Sequence, residues 1–320
     1  MKIFTKTSCI LFGALGTILL IGFVLSNFYD LQLSQAIADT NSTFGMLCAS
    51  FGELLGWGMM GVFGAMAFRL AQQVEKKLFK VLLIAFGALV IGVSFYLIFA
   101  DMNSSHNGFK EMSNLFVRLA LAAVLETLIV LLAFKAITTK NTKALLTFWI
   151  VLMVAFYLGL AINFITKGIV MRPRYRLISE GYEGHAASEL FENWYEAGRK
   201  GLAEQIYPAD VVSSDDFKSF PSGHSFVSMS SLLLFYVPLL NEKAKSKVWV
   251  RYLAFAFCTL YGLTIEFARI RYAAHYLSDV TFGGLLALLC AFFVPYFGFA
   301  FAQRKGFIPS ESEETEPRAE

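Results

Sequence analysis

The residues best suited to chemistry fall in three clusters: Lys167, Arg172, Arg174 and Arg176; then Pro221-Ser222-Gly223-His224; then Arg269 with His275 and Asp279. A phosphate group calls for positive charges or N–H donors around its equatorial oxygens, a nucleophile in line with the leaving oxygen, and an acid behind that oxygen. The first cluster offers guanidinium forks that grip phosphate oxygens in pairs, although basic residues at a helix end also anchor it to lipid headgroups. In the second, proline suits a helix start, serine caps it, and glycine lets a backbone N–H approach an anion; taken alone it is simply a good cap. In the third, His275 and Asp279 stand four apart on one helix face. Asp279 can accept one ring N–H and leave the other nitrogen as nucleophile or base, where a structural ion pair is the plainer alternative.

These clusters border long apolar runs. Apolar residues make up 57% of the 320-residue chain and charged ones only 16%, with a mean hydropathy of +0.59, against about 45–50% apolar residues in soluble domains. The net charge of +3 is too small to point to a nucleic-acid partner. A membrane-crossing helix takes about 20 apolar residues. On that basis the fold class is all-α, a polytopic membrane bundle of about eight spans near 8–27, 46–69, 79–100, 115–136, 145–166, 223–240, 248–268 and 278–303. The first apolar run is read as a retained helix, because the small-x-small triplet Ala36-Ile37-Ala38 lies too far beyond it for a signal-peptide cleavage site.

Lys and Arg alternate in density along the chain. Lys2 and Lys6, Arg69 to Lys80, Lys135 to Lys143, Lys243 to Arg251, and Arg304 with Lys305 form one set; the connections between them are nearly free of basic residues until the fifth span. By the preference of short cytoplasmic loops for positive charge, both termini are expected in the cytoplasm and all three clusters on the outer face. The connection from Lys167 to Pro221 is long. It holds a helix-like stretch, Ala186 to Ile206, with an apolar stripe of Leu190, Phe191, Trp194, Tyr195, Leu202 and Ile206 that suits either a lid or a packing helix. The tail from Pro309 to Glu320 is acidic and reads as disordered. Cys9, Cys48, Cys258 and Cys290 read as small buried apolar residues.

Together the clusters resemble the type 2 phosphatidic acid phosphatase family, which shares its active site with vanadium haloperoxidases and glucose-6-phosphatase. That family carries lysine, six residues, then arginine-proline; proline-serine-glycine-histidine; and serine-arginine, five residues, histidine, three residues, aspartate. Lys167 and Arg174 keep the first spacing, Pro221 to His224 match in full, and Arg269, His275 and Asp279 keep both intervals of the third. Two positions depart: Tyr175 replaces the motif proline, with Pro173 ahead of the arginine instead, and Ala268 replaces the serine. The missing hydroxyl removes a hydrogen bond worth about 1 kcal/mol.

The resemblance implies a six-helix core within a domain at 79–308, preceded by two N-terminal spans in 1–78 and containing an outer loop at 167–222. It further implies that His275 attacks phosphorus, Asp279 orients it, and His224 protonates the departing oxygen and then activates water. Lys167, Arg174, Ser222, the Gly223 N–H and Arg269 would hold the phosphate, with Arg172 and Glu266 as accessory candidates, Glu266 by orienting Arg269. No metal and no cofactor are implied. The expected activity is that of a plasma-membrane phosphatase whose site faces outward, acting on a lipid phosphate or diphosphate such as undecaprenyl diphosphate, phosphatidic acid or phosphatidylglycerol phosphate. A lipid phosphotransferase, or a non-catalytic protein that binds or transports lipid phosphate, are the alternatives. His106 and His185 read as solvated loop residues. Glu53, Glu126 and Asn163 are polar groups in or near spans, where function is the default expectation, but for Glu53 and Glu126 the sequence suggests no partner.

Overall fold

The computed structural model describes residues 3–104, 108–196, 201–208 and 212–308, so the expectations for His106 and for the tail after Ile308 lie outside the described residues. Within them the chain is helical and has no β-strand. The elements are α1 (Lys6–Ile37), α2 (Thr43–Phe51), α3 (Leu54–Gln73), α4 (Lys77–Asn103), α5 (Phe109–Met112), α6 (Leu115–Ala136) and α7 (Thr142–Val170). The short α8 (Tyr175–Ile178), α9 (Ala187–Leu190) and α10 (Leu202–Ile206) follow, then α11 (Gly223–Ser230), a 3₁₀ segment (Ser231–Leu240), α12 (Val248–Arg271) and α13 (Leu277–Arg304). Among the described residues, eight stretches are long and apolar enough to cross a membrane: α1, α2 with α3, α4, α6, α7 with α8, α11 with the 3₁₀ segment, α12 and α13.

The outer helices leave large apolar side chains uncovered. Phe116 is 80% exposed, Leu260 68% and Leu132 65%, a surface that belongs in hydrocarbon rather than water. The buried centre is formed by α3 and by the span that begins at Gly223. That span has only 18 residues, and its change of winding explains its reach. Eight α-helical residues rise about 12 Å and ten 3₁₀ residues about 20 Å, together close to the ~30 Å of a bilayer's hydrocarbon. Pro238, which cannot donate to an α-helical ladder, lies inside the 3₁₀ part.

Close packing at the centre depends on absent side chains. A Cβ on Gly56 of α3 would lie 1.9 Å from the Val227 carbonyl oxygen of α11, so only glycine lets these two backbones meet. On the far side of α11, a Cβ on Gly283 of α13 would lie 2.5 Å from the Ser222 carbonyl oxygen. These small residues work as they do in other membrane helix pairs, where backbone approach replaces the hydrophobic driving force.

The second span is interrupted between α2 and α3 at Gly52 and Glu53. Unpaired backbone groups are costly at membrane depth, and the Tyr261 hydroxyl of α12 meets this break. It bonds to the Gly52 carbonyl at 2.8 Å and the Phe51 carbonyl at 3.2 Å, and the Leu55 N–H reaches it at 3.4 Å. The break places the Glu53 carboxylate at the start of α3, the positive end of its dipole.

Among the described residues of the helix-like stretch expected over 186–206, helix forms at α9 and α10, with irregular backbone from Phe191 to Glu196. The apolar stripe is used for packing: Trp194 stacks on Phe220 at 5.4 Å and touches Phe23 of α1 at 5.2 Å. His185 is a surface residue paired with Glu189 at 2.9 Å.

Candidate active site

Helix ends bring the three clusters to one cavity of about 210 Å³. Lys167 comes from the last turn of α7, which stops at Met171, a residue in the left-handed region (φ 50°) that turns the chain toward Arg172 and Arg174. Gly223 and His224 open α11. Arg269 sits in the last turn of α12, and His275 follows a turn through Ala273, again left-handed at φ 55°. The cavity is lined by Lys167, Arg174, Arg176, Gly223, His224, Arg269 and His275, joined by Glu53, Trp57, Asp101, Asn163 and Asp215.

His275 is 1% exposed. Its Nε2 lies 3.1 Å from Arg174 Nη1, and since a guanidinium only donates, Nε2 must be the accepting, unprotonated nitrogen. The ring proton is thereby assigned to Nδ1, which faces Asp279 Oδ2 at 3.4 Å, longer than a strong hydrogen bond. Burial, and then the charges of Arg174, Arg269 and Lys167, push the imidazole well below its usual range. The ring is neutral, and its Nε2 lone pair accepts from Arg174, which lines the same cavity.

Asp279 is held on every side. It accepts the Tyr276 N–H at 2.9 Å, the Ser219 hydroxyl, and Arg172 Nη1 at 2.8 Å. Arg172 is the first departure from the sequence expectation. Rather than lining the cavity as a phosphate fork, it is fully buried behind it, bridging Asp279 to Asp30 of α1 at 3.0 Å. Ser278 Oγ and the Glu192 carbonyl accept two more of its N–H groups at 2.7 Å each, and its face covers the Tyr276 ring at 3.9 Å. Two carboxylates in reach outcompete any anion that would have to enter from the cavity.

Ser222 is the second departure. Its hydroxyl caps α11, accepting the Ser225 N–H at 3.2 Å, and it is fully buried away from the cavity. Glu266 is the third. Its carboxyl points at α13, where a Gly284 Cβ would lie 2.0 Å from its Oε1, so it does not orient Arg269. Among the described residues, the Nε and Nη1 of Arg269 have no hydrogen-bond partner although buried. Buried guanidinium donors without an acceptor are expensive, and Arg269 lines the cavity beside Lys167 and Arg174.

Four acids complete the arrangement. Asp215 pairs with Arg174 at 3.0 Å and Arg176 at 3.8 Å at the cavity mouth; burial opposes its ionisation, yet Arg174, Lys167 and Arg176 hold it below the usual carboxylate range. Glu53 Oε1 meets His224 Nδ1 at 3.0 Å, and Asp101 hydrogen-bonds to Glu53. Asp30 is the fourth, behind Asp279. Glu53 was visible in sequence as an acid inside an apolar run. Asp30, Asp101 and Asp215 carried no motif, and only the fold brings them near the clusters. Glu126, likewise without an expected partner, bonds to Ser94 at 2.9 Å away from the cavity.

The fold and site define a polytopic helical membrane protein with a cation-lined cavity and a carboxylate-backed histidine. Residues 146–302, a span that holds all three clusters, match the model of the PAP2 superfamily; the match is consistent with membership of that superfamily, whose members are generally phosphatases. No curated protein and no solved structure matches the chain.

Proposed function

We propose that this protein is a multi-pass membrane phosphatase that removes phosphate from a lipid phosphate or diphosphate at the outer face of the plasma membrane, without a metal. The observation that carries this reading is the unprotonated Nε2 of His275 facing a cavity that also contains the unpartnered donors of Arg269. Binding alone would need the cations but not a nucleophile.

In this reading Lys167, Arg174, Arg269 and the Gly223 N–H hold the phosphate oxygens. His275 Nε2 attacks phosphorus, the bond to the lipid oxygen breaks, and that oxygen takes a proton from His224. Water then attacks the phosphohistidine, giving its proton to His224 as the P–N bond breaks, which restores both histidines. Asp279 stabilises the positive charge that develops on His275. The apolar walls at Leu160, Phe164 and Val227 suit a substrate that arrives through the membrane. Candidate substrates are a polyprenyl diphosphate, phosphatidate and phosphatidylglycerol phosphate.

The test is release of inorganic phosphate from each of these lipids by purified protein in detergent with EDTA. Turnover that disappears in His275→Ala supports the proposal. Unchanged turnover in that variant overturns the mechanism, and transfer of labelled phosphate to an acceptor lipid with none released identifies a phosphotransferase instead.

A further inference from the structure

The phosphatase reading gives His275 a carboxylate partner but leaves His224 to act alone. In the structure it does not. His224 lines the cavity, its Nε2 lies 2.9 Å from the Ala49 carbonyl oxygen and its Nδ1 3.0 Å from Glu53 Oε1. A carbonyl can only accept, so Nε2 carries a proton, and Nδ1 is left to share one with Glu53. Glu53 is itself fixed: its Oε2 accepts the Trp57 indole N–H at 2.7 Å, and Asp101 hydrogen-bonds to it, which requires a proton between the two acids.

We propose that Glu53 is a positioning residue for His224, holding Nδ1 and balancing the ring's positive charge so that Nε2–H can be given to the leaving oxygen, with Asp101 as the group that fixes Glu53. The inference rests on the phosphatase reading. When substrate occupies the cavity, the leaving oxygen takes the place of the Ala49 carbonyl as acceptor of Nε2–H. The bond from phosphorus to that oxygen breaks as its proton arrives, and His224 becomes neutral at Nε2 until water returns a proton in the second step. Glu53 ends each cycle as it began.

The arrangement repeats the one behind His275, where Asp279 faces Nδ1, but its parts come from elsewhere. Glu53 sits at the break between α2 and α3, and Asp101 lies near the end of α4. Both precede the 146–302 segment that matches the superfamily. A Cβ built on Gly223 would lie 3.6 Å from Lys167 Nζ and 4.0 Å from Glu53 Oε1, so the carboxylate stands at the edge of the space that a phosphate would fill.

Leaving-group dependence separates this role from a structural one, because p-nitrophenolate departs without a proton whereas a lipid alkoxide needs one. Wild type, Glu53→Gln and His224→Ala are compared in detergent on p-nitrophenyl phosphate and on a short-chain phosphatidate. In both variants kcat/KM, which reports the step that expels the leaving group, should fall about tenfold or more further on phosphatidate than on p-nitrophenyl phosphate, and the double variant should show no greater discrimination than His224→Ala alone. Residual turnover of p-nitrophenyl phosphate by Glu53→Gln shows that the variant is folded. Equal losses on both esters, or discrimination that multiplies in the double variant, overturn the role given to Glu53. Failure of wild type to hydrolyse either ester overturns the phosphatase reading and this one with it.

Discussion

Arg172 shows how a residue of the right type can serve a different purpose from the one its position suggests. Its neighbours in sequence, Lys167 and Arg174, line the cavity, while it supports Asp279 from behind. Replacing it would leave Asp30 and Asp279 buried without their cation, and losing one partner of a buried pair typically costs about 3–5 kcal/mol. Arg172→Ala should therefore lower the thermal unfolding temperature in detergent by many degrees, and Arg172→Lys should rescue little, since one ammonium cannot span both acids as the fork does. For His275 the sign of the pH effect follows from its depressed pKa. The ring stays unprotonated to below the usual histidine value of 6.5, so the acid limb of kcat/KM assigned to it should fall below that value. Arg174→Gln removes one charge that depresses the pKa and should move the limb upward, together with a higher KM. Motif spacing made Lys167 with Arg174, and Arg269 with His275 and Asp279, legible in the sequence through intervals of seven, six and four residues, and the contiguous Pro221-Ser222-Gly223-His224 did the same for His224. Asp30 and Asp215 were not legible, since each acquires its role only through a contact distant in sequence.

At the scale of elements, the eight spans could be read from apolar runs because hydrocarbon selects for them so strongly. What could not be read was how two of them are wound. Nothing in residues 231–240 except Pro238 signals a 3₁₀ segment, and the break at Gly52 and Glu53 lies inside a single hydrophobic stretch. The Tyr261 hydroxyl that meets this break explains why it is tolerated. Tyr261→Phe should destabilise the protein by about 1–3 kcal/mol, the penalty for stranding buried polar groups, and should also reduce turnover by releasing Glu53; denaturation and kinetics on one preparation check both. The contact between α3 and α11 gives a sharper contrast. Gly56→Ala forces a Cβ into the Val227 carbonyl and should abolish or severely reduce activity. Gly92→Ala, on α4 with nothing within 4 Å of the new atom, should leave activity and melting temperature nearly unchanged.

Across the whole molecule, the site is wider than the segment that marks its family. His275, His224 and their cations lie within 146–302, yet Asp30, Glu53 and Asp101 reach it from α1, the α2–α3 break and α4. In sequence the first two spans looked like an addition of unknown purpose, because no motif ties them to the rest. In the structure α1 packs along α13, and α3 against α4 and α11. A chain beginning at residue 42 would lack Asp30 and should show little or no phosphate release even if it reaches the membrane, a result to be compared with full-length protein at equal amounts. Arg172 adds a consequence for biogenesis. The acids it joins, Asp30 and Asp279, belong to the first and the last of the eight spans, so its set of hydrogen-bond acceptors is complete only after the final helix has been inserted. A nascent chain halted before that point has Arg172 paired with Asp30 alone, its Ser278 and Asp279 acceptors still to be made, which makes the support behind His275 and the completion of synthesis a single event.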